Sequence, residues 1–114
     1  MVLLVDNDDL FRSALASNLR DDGYQVREYD ATGSVPIHTL HDIEALLIDW
    51  ASERCNGTGF VRRFHEAFPT VPVIVITANR TQVAEPAADH IMFLPKPLRY
   101  DALVETLSRQ HSRT

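Results

Sequence analysis

Four short aliphatic runs punctuate the chain, and a polar residue follows each. They are Val2-Leu3-Leu4-Val5, Ala45-Leu46-Leu47-Ile48, Val73-Ile74-Val75-Ile76 and Ile91-Met92-Phe93-Leu94. Asp6, Asp49 and Thr77 follow the first three directly, and Lys96 follows the fourth after Pro95. Runs this short and apolar, bounded by turn or helix signals, read as strands buried on both faces. Between them the spacing changes to that of helices. Asp8 or Asp9 can cap a helix running to about residue 22, with Phe11, Leu15 and Leu19 on one face and Gly23 as its stop. Residues 24–29 read as a second strand. Residues 31–42 contain Gly33 and Pro36 and leave room only for a short helix. A loop through Gly57 leads to a helix carrying Phe60, Val61, Phe64 and Phe68, closed by Pro69. Residues 80–89 include Pro86 and show little helical periodicity, so a helix there is expected to be short or irregular. A last amphipathic helix, residues 100 to about 109, carries Ala102, Leu103, Thr106 and Leu107.

Strands alternating with helices imply right-handed crossovers and a doubly wound parallel α/β sheet covered on both faces. In such a sheet the carboxyl ends of the strands share one edge, where open α/β folds hold their sites. Asp6, Asp49, Thr77 and Lys96 would then converge on one crevice. Two carboxylates, a hydroxyl and an ammonium are the inventory for binding a divalent cation beside a phosphoryl group.

Length and charge narrow the classes. At 114 residues the chain is expected to form a single domain, 1–114, large enough to bury a core. One cysteine, Cys55, cannot form an internal disulfide, which points to a reducing, cytoplasmic setting. The five histidines show no metal spacing beyond the weak pair His38 and His41 and read as surface residues. The apolar start lacks a basic flank, and no run approaches the length of a membrane span. A net charge of −5 without a basic stretch argues against nucleic-acid binding by this domain alone. Trp50 reads as core or rim packing beside Asp49, and Arg62-Arg63 as a solvated helix face.

Val5-Asp6-Asn7, Leu47-Ile48-Asp49 with Gly57 eight residues on, Val75-Ile76-Thr77-Ala78 and Lys96-Pro97 together resemble the receiver domain of bacterial two-component response regulators. The resemblance covers essentially the whole chain and implies a five-stranded parallel sheet in the order 2-1-3-4-5, the CheY-like arrangement. It implies that Asp49 accepts a phosphoryl group from the phosphohistidine of a sensor histidine kinase or phosphotransfer protein. Asp6, Asp49, the backbone carbonyl of Ala51 and Asn7 would hold Mg²⁺. Thr77 would be the switch hydroxyl, Phe93 the aromatic that reports its turn, and Lys96 the partner of the phosphoryl group, with a cis bond before Pro97. The acyl phosphate adds charge and acceptor oxygens that Thr77 and Lys96 can meet, biasing the conformation seen by an output domain or target protein. Such single-turnover phosphotransfer and self-dephosphorylation does not make the chain an enzyme in the usual sense.

Three features depart from the family pattern. Asn7 stands where a second acid is usual; an amide oxygen can coordinate but brings no charge, and ~1.4 kcal/mol lost would weaken Mg²⁺ tenfold. Glu53 replaces a common proline, and the stretch from Thr77 to Lys96 is shorter than usual. These motivate a second reading, a degenerate receiver acting as a phosphorylation-independent protein-interaction module. A third reading comes from the enzyme class: Val5-Asp6-Asn7-Asp8 resembles the nucleophile motif of haloacid-dehalogenase-type phosphatases, with Asp6 as nucleophile and Asp8 as general acid. That family's later acidic pair is missing after the lysine.

Overall fold

The computed structural model describes residues 1–49, 57–77 and 91–111. The chain runs β1 (Val2–Val5), α1 (Asp9–Asp21), β2 (Val26–Tyr29), two 3₁₀ turns (Thr32–Ser34 and Ile37–Thr39), β3 (Ala45–Asp49), α2 (Gly57–Ala67), β4 (Val73–Thr77), β5 (Ile91–Pro95) and α3 (Tyr100–His111). The five strands form one sheet in the order β2-β1-β3-β4-β5, as the resemblance implied. Every pairing is parallel. The expected irregular helix at residues 80–89 lies outside the described residues.

Strand alternation divides the interior into two layers. Val2, Leu4, Ala45, Leu47, Ile74 and Ile76 face Leu15, Ala16 and Leu19 of α1 and Leu103 and Leu107 of α3. Leu3, Val5, Leu46, Ile48, Val73 and Val75 face Phe60, Val61 and Phe64 of α2. Residues of both sets are apolar in β1, β3 and β4, which is why these strands show no polar alternation in the sequence. Phe60, Phe64 and Phe68 form a ladder with ring centroids 6.1 and 5.0 Å apart.

Local chemistry fixes the helix ends. Asp8 caps α1, its carboxylate accepting from the Phe11 N–H at 3.1 Å. At the other end Gly23 takes φ +96°, and the N–H groups of Gly23 and Tyr24 return to the carbonyls of Arg20 and Leu19, both at 3.0 Å. This paired closure needs a residue tolerant of positive φ, which is glycine's role. It also consumes the Tyr24 N–H, so β2 begins at Val26, two residues later than the sequence pattern predicts. The 31–42 segment folds as two 3₁₀ turns rather than one short helix, because Pro36 has no N–H to continue a helical ladder. The last strand extends through Pro95, and α3 reaches His111.

Candidate functional site at the carboxyl edge of the sheet

Asp6 continues β1, its N–H donating to the Tyr29 carbonyl at 3.0 Å. Its side chain is 1% exposed. One carboxylate oxygen, Oδ1, accepts the Asp8 N–H at 2.8 Å, so the turn into α1 holds the group in place. The other, Oδ2, lies 3.5 Å from Lys96 Nζ. Asp49, the last residue of β3, places its Oδ2 3.1 Å from the same ammonium. Residues 90 and 47 positions apart in sequence from Lys96 thus meet at one nitrogen.

Lys96 is delivered by the end of β5. Its backbone N–H donates to the Thr77 carbonyl at 3.0 Å, extending the β4–β5 ladder. The Lys96–Pro97 peptide is cis, as the resemblance implied. Its Nζ also sits 4.6 Å from the centroid of the Phe11 ring. Burial pushes this ammonium down, but the hydrogen bond to Asp49 and the charges of Asp6 and Asp49 outweigh it and hold Lys96 above its ordinary value. Burial has the opposite sign for Asp6 and raises its carboxyl, against the Asp8 N–H and the Lys96 charge, which favour the ionised form.

Thr77 closes β4 and is buried, in the strand set of Val73 and Val75. Phe93 pairs with Val75 and packs in the layer facing α2. Asn7 is exposed in the turn that follows Asp6. Ala51, Trp50 and Glu53 lie outside the described residues. Asp8 is engaged as the α1 cap and exposed.

Two site-bordering residues were not legible as such from the sequence. Phe11 reads as a core position by its spacing with Leu15 and Leu19, yet its ring covers Lys96. Arg12 donates to the Asp6 carbonyl oxygen at 2.6 Å and pairs with Asp9 at 2.9 Å and Glu28 at 3.4 Å. It thereby ties the backbone beneath Asp6 to α1 and β2. Its only sequence signal is a basic residue one helical turn beyond Asp8 and Asp9.

The donor chemistry at this edge suits a hard cation. Among the described residues no group of three or more His, Cys, Asp or Glu is arranged to hold a metal. Two carboxylates drawn to one ammonium match the few oxygen ligands that Mg²⁺ takes while keeping several waters.

Residues 2–108 match the family model of the response regulator receiver domain. The chain belongs to the receiver-domain family. Curated relatives include a putative NtrX-like response regulator of Rickettsia conorii, 28% identical over 116 residues and covering 95% of this chain and 24% of that protein. The response regulator MprA of Mycobacterium avium is 29% identical over 115 residues, covering 97% of this chain and 49% of its own length. The chain therefore spans about a quarter of the first of these relatives and half of the second. The crystal structure of the receiver domain of the hybrid histidine kinase CckA superposes with a TM-score of 0.81 at 26% identity, covering 96% of both chains. The receiver is a two-component signalling module and not an enzyme family in the usual sense. Among the described residues no helix is long and apolar enough to cross a membrane.

Proposed function

We propose that this receiver accepts a phosphoryl group on Asp49 from the phosphohistidine of a sensor histidine kinase or phosphotransfer protein. In that step an Asp49 carboxylate oxygen forms a bond to phosphorus as the N–P bond of the donor imidazole breaks, and the imidazole nitrogen keeps its electron pair and takes a proton from solvent. The observation that carries the reading is Lys96, whose ammonium lies between Asp6 and Asp49 at one sheet edge. A carboxylate attacking phosphorus meets the negative charge of its target, and a preplaced cation reduces that repulsion. The Lys96 ammonium lies 3.1 Å from the Asp49 carboxylate, so it would need little reorganisation to meet a phosphoryl group formed there. Asp6, Asp49, the Ala51 carbonyl and Asn7 would hold Mg²⁺, which when bound offsets charge on the phosphoryl oxygens. Thr77 and Phe93 would carry the resulting change toward an output domain or target protein. Asp8 is engaged as the α1 cap, and the strand order is that of a receiver, which supports the receiver reading over the phosphatase one.

The test is intact-mass analysis after incubation with Mg²⁺ and acetyl phosphate, with Asp49→Ala and Asp6→Ala alongside. One added phosphoryl group that requires Mg²⁺ and is absent in Asp49→Ala is the expected result. An adduct that survives Asp49→Ala and is lost in Asp6→Ala would overturn it in favour of Asp6 chemistry. Absence of any adduct, with the cognate kinase as well, would leave the phosphorylation-independent interaction module.

A further inference from the structure

Among the described residues the ammonium of Lys96 meets three groups: Asp49 at 3.1 Å, Asp6 at 3.5 Å, and the face of Phe11 at 4.6 Å from the ring centroid. The first two are the expected pairings of a lysine between acids. The third is not required by them. Phe11 lies in the first turn of α1, its N–H fixed by the Asp8 cap and its ring half-buried against the layer formed with α3. Core packing alone would be met by any large aliphatic residue at this position. A ring face differs because its quadrupole attracts a cation within about 6 Å, more strongly where water is thinned. The Lys96 side chain is only 22% exposed, so the attraction operates on a partly desolvated charge. A polar side chain here would offer an oxygen to compete for the ammonium. The ring attracts the charge and leaves the N–H donors for carboxylate and phosphoryl oxygens.

We propose that Phe11 is a positioning residue for Lys96, holding the ammonium between Asp6 and Asp49 through its ring face rather than merely filling the core. Adjacent residues of α1 then serve the site in two ways: Arg12 anchors the backbone beneath Asp6, and Phe11 holds the cation above it. The effect on phosphotransfer rests on the phosphoacceptor reading; the effect on Lys96 itself does not.

The experiment compares wild type with Phe11→Leu, which keeps an apolar side chain without a ring, and Phe11→Trp, which restores a stronger face. Two quantities are read: the Lys96 ammonium ¹H–¹⁵N signal, with its rate of proton exchange with water, and the Mg²⁺-dependent rate of modification by acetyl phosphate. Melting curves establish that each variant is folded. Phe11→Leu should speed ammonium exchange and slow modification about three- to tenfold, the range that a cation–π contact supports. Phe11→Trp should restore both. Unchanged ammonium exchange in Phe11→Leu, or a loss that Phe11→Trp does not recover, overturns the proposal and assigns Phe11 to packing. If the wild type accepts no phosphoryl group the phosphoacceptor reading fails, and the ammonium signal alone decides the role of Phe11.

Discussion

Asn7 departs from the family pattern at the residue next to Asp6, so its effect on a bound cation can be tested directly. It is exposed in the turn that follows Asp6, one of two acids drawn to a single lysine. An acid there would add a third carboxylate to the edge, strengthening attraction for a cation and increasing repulsion when no cation is bound. Asn7→Asp should therefore change two measurements in opposite directions. Mg²⁺ affinity should rise about tenfold, corresponding to ~1.4 kcal/mol, followed through the fluorescence of Trp50, the sequence neighbour of Asp49. The metal-free melting temperature should fall. An increase in both would show that position 7 acts through the turn and not through charge. The individual site residues were legible to different degrees. Asp6, Asp49 and Lys96 stood out because each ends an apolar run. Phe11 did not, since a ring over a lysine and a ring in a core leave the same helical spacing.

The elements are tied to each other by contacts that sequence patterns do not reveal, and the junction of α1 with α3 is an example. The Tyr100 hydroxyl, at the start of α3, donates to the carboxylate of Asp22 and approaches the Asn18 carbonyl oxygen at 2.9 Å, both at the end of α1. Burial and the hydrogen bond to Asp22 push this hydroxyl above its ordinary 10.0. Because the folded value exceeds the unfolded one, the tie contributes fully below pH 10 and is lost as pH rises through the folded value. Tyr100→Phe should cost about 1 kcal/mol near neutral pH, the value for a hydrogen bond to a charged group reduced for partial exposure. The gap between variant and wild type in urea unfolding should narrow above pH 10. A gap that stays constant with pH would mean the tyrosine acts by packing alone. The elements themselves were largely predictable, and their boundaries moved where backbone hydrogen bonds were diverted. Tyr24 was lost from β2 because its N–H closes α1. Pro95 was gained by β5 because Lys96, next to it, supplies the N–H that reaches Thr77.

At the scale of the molecule, the strand order places β1 beside β3 and brings Asp6 and Asp49 to one crevice, with Lys96 reaching them from β5 across β4. Periodicity predicted a parallel sheet, but no spacing in the chain dictates the order 2-1-3-4-5, which came from the resemblance. A site assembled from the ends of β1, β3 and β5 exists only when the whole sheet is formed, so a ligand bound there stabilises the entire fold by mass action. Mg²⁺ at about ten times its dissociation constant should add about 1.4 kcal/mol. For a domain of this size that corresponds to a melting temperature higher by roughly 5–10 °C. Asp6→Asn keeps an oxygen that can accept the Asp8 N–H while removing the charge, so it should melt cooperatively yet lose most of the Mg²⁺ increment in a calorimetric titration. If Asp6→Asn retained the full increment, the cation would be held elsewhere on the molecule. Neither Asp49 nor Lys96 could then be assigned to a Mg²⁺-assisted transfer on the strength of their meeting at this edge.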